Sequence, residues 1–226
     1  MRAIGFGLTL IGWSGPGHYT ADNSDWWSLF SAEGPGVCSK PSKEKPNGAN
    51  FVIAGVDLRH EYPIRDAGEK VAKPSIVIER GDASTGRAQI CFKSASESGR
   101  FKLIFEEGEV SSAAYLIDGG QSWNGSGKCV TSEKVSPKLA TASGLHLGMT
   151  ADEVEKILGK PCIKSNDSIE YAFDYQYLLP LEERRRLKKN PGTFEPDEPV
   201  DWFGTMQIKF RGAKAYYIAL LTGDTQ

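Results

Sequence analysis

The pattern of hydrophobic and polar positions divides the chain into short apolar runs joined by turn residues. Five runs of strand length occur at positions 51–58, 75–79, 88–93, 101–105 and 113–117. Strands at this regular spacing are typical of an antiparallel sandwich or barrel. In the fourth run Phe101, Leu103 and Phe105 alternate with Lys102 and Ile104, so we predict that one face of this sheet is solvated. Residues 1–136 are therefore predicted to form a mainly antiparallel β domain.

The apolar pattern is interrupted around Pro137, where we place the boundary between the two predicted domains. A short amphipathic helix is predicted after it, over residues 150–158. Thr150 and Glu153 stand three residues apart, the spacing of a capping box in which each side chain satisfies a free backbone N–H. Gly159 and Pro161 mark the end of the helix. Its apolar face consists of three residues: Val154, Ile157 and Leu158. A helix of about two turns is not stable alone, so it is expected to pack on a sheet.

Three apolar runs after this helix supply that sheet, at residues 169–177, 205–210 and 215–221. Between the first two lies a charged, proline-rich insert, residues 179–202, which we interpret as a surface loop. The whole pattern predicts an α+β fold. A mainly antiparallel β domain, residues 1–136, precedes a small helix-plus-three-stranded antiparallel sheet module, residues 137–226.

Composition narrows the class of protein. The chain of 226 residues is 39% hydrophobic and 25% charged, with a formal net charge of −2. These values are typical of a globular protein and give no sign of a nucleic-acid-binding surface. No run of about 20 apolar residues predicts a transmembrane helix. Motifs for a metal site, a phosphate-binding loop or a catalytic nucleophile are missing, so no cofactor or metal is predicted.

Four cysteines allow two disulfides: Cys38, Cys91, Cys129 and Cys162. None belongs to a C-x-x-C pair, which argues against zinc. We predict a Cys91–Cys129 bond because both residues lie at or beside runs of strand length, which leaves Cys38 and Cys162 to pair across the two domains. The alternative is four free thiols in a cytoplasmic protein.

The first residues have two interpretations. Arg2 followed by an apolar run at residues 3–13 has the order of a signal peptide, but the run contains glycines and no Ala-x-Ala cleavage site follows it, so a buried strand is the alternative. Together with the expected disulfides, the first interpretation predicts a periplasmic or secreted protein. The second leaves a cytoplasmic location open.

The C-terminal part of the chain resembles the SmpA/OmlA (BamE) family and its relatives, which include the β-lactamase inhibitor proteins. The resemblance rests on Gly148-Met149-Thr150, on residues 153–161, on Tyr171-Ala172-Phe173 and on the paired runs at 206–210 and 215–220. Members of that family bind other proteins at or near the bacterial envelope, so the resemblance implies a protein-binding module. Cys38 does not directly follow an apolar signal region, and no lipid anchor is implied.

Two sets of residues are candidates for function. We predict that a protein partner is bound by aromatic anchors and by arginines that steer its approach: Trp202, Phe203, Arg184, Arg185 and Arg186. Adjacent tryptophans at Trp26 and Trp27 are a second candidate for an interface. The competing class is a cell-wall or polymer hydrolase with a site around Asp57, His60 and Glu61 in the N-terminal β domain.

Overall fold

The structure is a computed structural model, and it describes residues 38, 40–60, 63–73, 78–80, 87–108, 111–120, 129–178, 181–189 and 199–225. The chain divides into two compact units, residues 1–34 and 35–226, and every described residue belongs to the second unit. The predictions for residues 3–13, Trp26, Trp27 and Glu61 therefore lie outside the described residues.

A single large sheet runs through the described part of the second unit. Its strand order is β3-β4-β5-β6-β11-β10-β9-β8, and a ninth strand, β7, pairs in parallel with β4. The strands are β3 (Ile78–Arg80), β4 (Arg87–Ser94), β5 (Phe101–Glu107), β6 (Ser111–Asp118), β7 (Val130–Ser132), β8 (Ile163–Lys164), β9 (Ser168–Tyr177), β10 (Val200–Arg211) and β11 (Lys214–Thr225). A separate hairpin consists of β1 (Val52–Ile53) and β2 (Val56–Asp57).

Three α-helices lie in the described ranges: α1 (Pro63–Lys70), α2 (Ala151–Leu158) and α3 (Leu181–Lys189). Helix α2 has the predicted capping box: Glu153 N donates to Thr150 Oγ1 over 3.3 Å, and Thr150 N donates to Glu153 Oε2 over 2.7 Å. Thr150 Oγ1 also donates to Glu153 Oε2 over 2.9 Å, and the two bonds that Thr150 donates to this carboxylate hold the pKa of Glu153 below its ordinary value. Helix α3 occupies the first half of the insert that we interpreted as a loop, and helix α1 had no counterpart in the sequence interpretation.

The predicted α+β fold, with a separate three-stranded module after a β domain, is wrong. Strand β11 pairs with β10 on one side and with β6 on the other, in register from Tyr217 opposite Ile117 to Gly223 opposite Ser111. The runs before and after residue 136 therefore belong to one sheet. Helix α2 lies in a mostly β architecture instead of defining a module of its own.

The main hydrophobic core covers one face of this sheet. Residues from β5, β6 and β10 meet the hairpin and the 3-10 turn at Gly48–Phe51 there, and the largest fully buried side chains include Phe51, Phe92, Phe105, Leu103 and Leu116. The opposite face was predicted to be solvated, and this is wrong for β5. Ile104 is fully buried and Lys102 is only 1% exposed, so both faces of this strand are covered.

Two disulfides join distant parts of the chain. Cys91 bonds to Cys129 with a Cα–Cα distance of 4.5 Å, and Cys38 bonds to Cys162 with a Cα–Cα distance of 6.0 Å. Both pairings agree with those expected from the sequence. Structural disulfides form and persist in oxidising compartments, so the two bonds indicate an extracytoplasmic protein. No helix in the described ranges is both long and apolar enough to cross a membrane.

Candidate functional site

The described residues cover only part of the outer edge of the sheet at β9. Strand β8 pairs with the start of β9, and Ser42 then continues the edge as a parallel bridge. Ser42 N donates to Ala172 O over 2.8 Å, and Asp174 N donates to Ser42 O over 2.9 Å. The Cys38–Cys162 disulfide holds the chain just before Ser42 beside β8, because Cys162 directly precedes that strand.

Beyond Asp174 the edge has no described partner strand. Alternate residues of a strand direct their N–H and C=O groups to the same side. Since Ala172 and Asp174 bond outward to Ser42, Gln176 also directs its N–H and C=O away from β10. No described residue bonds to these two groups of Gln176. An unpaired strand edge of this kind is a template on which another chain can pair.

Two exposed leucines follow the open edge directly. Leu178, just after β9, and Leu181, the first residue of α3, are each 53% exposed and are the large hydrophobic residues exposed among those described. A single exposed leucine is ordinary on a protein surface. Two exposed leucines that follow closely in sequence on an edge without a described partner strand provide apolar surface that an added strand could contact. We call Gln176, Leu178 and Leu181 the β9 edge site.

A cleft of about 580 Å³ lies against the same end of β9 and β10. Two polar pairs fix its wall: Lys43 Nζ contacts Asp174 Oδ2 at 2.5 Å, and Gln176 Nε2 donates to Asp201 Oδ1 over 2.7 Å. Phe203 adds an aromatic, half-buried side chain to the lining. The cleft therefore offers polar and aromatic contacts next to the β9 edge site.

The predicted anchor Trp202 is a core residue. It is 5% exposed, and its ring centroid lies 5.3 Å from that of Phe51 and 5.0 Å from that of Tyr175. The indole folds over Gly204, where an added Cβ would come within 2.3 Å of Trp202 Cη2. The sequence offered a signal for this arrangement, because Trp202 and Gly204 share one face of a strand. Trp202 thus supports the cleft from inside the sheet.

The predicted steering arginines all belong to helix α3. Arg185 is exposed and its Nη1 lies 3.3 Å from Glu182 Oε1, while Arg184 is half-buried. The side chain of Arg186 lies outside the described residues. The structure thus places these arginines on the helix that follows Leu178, a placement that the loop interpretation missed.

The alternative catalytic residues come together only in part. Asp57 accepts hydrogen bonds from Arg59 Nε at 2.9 Å and from Arg59 Nη2 at 2.5 Å, and His60 Nε2 is 3.8 Å from Asp57 Oδ2. Burial acts to raise the pKa of Asp57, but the bonds from Arg59 outweigh it and the pKa lies below its usual value. The Asp57 carboxylate is thus an ionised partner of Arg59. Neither Asp57 nor His60 lines the cleft at β9.

Comparisons with known proteins give no information about the function of this chain. No family model, no curated protein and no solved structure matches the chain. Within the described ranges, no group of three or more histidine, cysteine or acidic residues is arranged to hold a metal ion. The resemblance to the SmpA/OmlA (BamE) family therefore stays a prediction.

Proposed function

We propose that this chain is a non-enzymatic, periplasmic or secreted binding protein whose β9 edge site receives an extended segment of a protein partner. The observation that carries the proposal is the outward N–H and C=O of Gln176, unpaired among the described residues and followed by the exposed Leu178 and Leu181. Binding of this kind extends the sheet by one strand. Main-chain hydrogen bonds then supply affinity, and alternate side chains supply specificity.

The sheet is well prepared to accept a strand at this position. Strand β9 pairs with β10 in continuous register from Ser168 to Tyr177, so its edge is held straight. The aromatic packing of Trp202 on Tyr175 fixes the strand from the core side. An edge that is ordered before binding loses little conformational entropy when the partner arrives.

The chemistry of the partner follows from the groups beside the edge. An added strand would place alternate side chains toward Leu178, which favours an apolar residue there, and toward the cleft with its Lys43–Asp174 ion pair, which favours a polar one. The resemblance to the SmpA/OmlA family, whose members bind proteins near the envelope, implies the same class of role. The expected ligand is an extended segment of an envelope or extracellular protein that carries an apolar residue near Leu178 and a polar residue near the Lys43–Asp174 pair.

A backbone variant tests the proposal directly. Gln176→Pro removes the outward N–H but no hydrogen bond to β10, because proline is tolerated where a strand's N–H faces away from its neighbour. Gln176→Ala is the matched control, since it loses the same side chain and keeps the N–H. Both variants are used as bait in pull-downs from envelope and secreted fractions.

We expect a protein that is retained by the native chain and by Gln176→Ala, and that is lost or bound about tenfold more weakly by Gln176→Pro. Far-UV circular dichroism establishes that the proline variant is folded. A partner held equally by both variants would show that binding does not use the strand edge. Loss of the partner with Gln176→Ala would assign binding to the side chain and cleft instead.

A further inference from the structure

A second cleft, of about 330 Å³, lies at the other end of β10, where the β10–β11 hairpin turns. Three cationic side chains and one carboxylate line it: Arg100, Arg211, Lys214 and Asp118. Apolar and aromatic groups complete the wall, among them Leu147, Pro137 and Tyr216. The lining therefore combines excess positive charge with apolar and aromatic side chains.

The one carboxylate of this cleft is already committed. Asp118 accepts hydrogen bonds from Arg100 Nε at 2.5 Å and from Arg100 Nη2 at 2.6 Å, and Gly120 N donates to it over 2.9 Å. These bonds from Arg100 hold the pKa of Asp118 below its ordinary value, and the nearby charge of Arg211 acts in the same direction. Asp118 is thus bonded to Arg100, and within the described ranges no salt bridge joins Arg211 to a carboxylate, although the charges of Arg211 and Asp118 attract each other.

Arg211 is held in a fixed orientation all the same. Its guanidinium carbon lies 4.2 Å from the centroid of the Tyr216 ring, a stacked arrangement. Tyr216 can reach this position because the register of β10 and β11 shifts between Lys209 and Phe210, which makes Tyr216 the extra residue of a β-bulge. A stacked guanidinium keeps its N–H groups in one plane, ready for two parallel hydrogen bonds to an oxyanion.

Lys214 adds a like charge directly opposite. Arg211 and Lys214 face each other across the two-residue turn Gly212-Ala213, and both are exposed. Like charges opposite each other on antiparallel strands destabilise the pair. The charge of Lys214 contributes to lowering the pKa of Glu153, but the Oε2 of that carboxylate already accepts bonds from Thr150 N and Oγ1 in the helix cap. A bound anion between Arg211 and Lys214 would remove this repulsion.

We propose that this cleft binds a small molecule carrying a phosphate or carboxylate group. Arg211 would bind the oxyanion through two N–H groups, Lys214 would supply a second charge, and Tyr216 with Pro137 would contact the body of the ligand. This site is independent of the proposed function, since it lies at the opposite end of β10 from the β9 edge site.

The test is a nuclear magnetic resonance titration of the full chain with inorganic phosphate and, separately, with acetate. Ionic strength is held constant with chloride, and the Arg211 Nε–Hε resonance is followed with the amides of Gly148 and Tyr216. We expect a saturable shift with at least one of the two anions, and the anion that binds more tightly identifies the preferred group. Arg211→Gln should weaken this affinity by about tenfold or more.

Two further variants separate the contributions. Arg211→Lys keeps the charge but loses the paired N–H groups, so it should bind more weakly than the native chain. Lys156→Gln removes an exposed lysine of α2 that does not line the cleft, and its affinity should not change. Shifts that fail to saturate, or an unchanged affinity in Arg211→Gln, would overturn the proposal. Gln176→Pro should leave this titration unaltered, which distinguishes failure here from failure of the proposed function.

Discussion

The burial of Trp202 predicts that Gly204 cannot accept even a methyl group. A Cβ at this position would lie 2.3 Å from Trp202 Cη2 and 2.9 Å from Phe51 Cζ, distances that packed carbon atoms do not reach. Gly204→Ala must therefore displace the indole from its place between Phe51 and Tyr175. If Trp202 instead pointed outward as a partner anchor, the added methyl group would meet only Phe51 Cζ, and the substitution would cost less.

The change in stability expected for Gly204→Ala is the difference between two opposing effects. Overpacking a well-filled core costs about 1–3 kcal/mol, whereas replacing glycine within a strand recovers about 0.5–1 kcal/mol of backbone entropy. We expect a net loss of about 1–2 kcal/mol, which lowers the melting temperature by about 2–8 °C for a domain of this size. Trp202→Ala alone should cost about 3–5 kcal/mol as a large core truncation.

The double variant decides between the two placements of the indole. Without the ring, the new methyl group fills part of the space that the ring vacates, so Gly204→Ala should be neutral or stabilising in the Trp202→Ala background. A coupling energy of about 1–3 kcal/mol is expected from urea unfolding followed by far-UV circular dichroism. Effects that add within about 0.5 kcal/mol would refute the stacking of Trp202 over Gly204.

Three other predictions follow from the same structure. Burial lowers the pKa of Lys102 to about 7, so above that pH the unfolded chain binds more protons than the folded chain. The free energy of unfolding measured in urea should therefore rise from pH 7 to 9, and Lys102→Met should abolish the rise. Replacing both Cys38 and Cys162 by serine removes a link across 124 positions and should lower the free energy of unfolding by about 2–5 kcal/mol. The same change should speed amide exchange at the β9 edge near Ser42, and unchanged exchange there would contradict the proposed role of this disulfide. Changing the arginines at 184–186 to alanine should slow association with the partner and reduce its salt dependence, and unchanged association kinetics would remove the steering role.

Local features of the fold were predictable because they depend on neighbours in sequence. The capping box of Thr150 and Glu153 and the strand runs around Phe101 and Ala113 are local signals of this kind, and both correspond to elements of the structure. The pairing of β6 with β11 is not local, since it joins positions about a hundred residues apart. The run at 113–117 was predicted only as a strand, and the structure shows it buried on both faces, which is typical of the middle of a sheet.

The candidate site was predicted less well, for a related reason. Trp202 was predicted to be a partner anchor at the end of a surface loop. Strand β10 begins earlier than the apolar run at 205–210 suggested, so Trp202 lies within the strand and its indole packs in the core. Whether an edge stays open depends on which strands pair, so the exposed position of Gln176 could not be inferred from its own neighbourhood. Leu178 gives no signal in the sequence, because a single leucine is ordinary until its exposure is known.

The most direct test of binding at the β9 edge is site-specific photocrosslinking in the native compartment. A photoreactive residue in place of Leu178 should give a crosslinked product of discrete mass, and the same residue in place of Lys156 on α2 should not. Combining the Leu178 probe with Gln176→Pro should abolish the product, while Gln176→Ala should preserve it. An equal yield from positions 178 and 156, or no product from position 178, would contradict the proposed partner site.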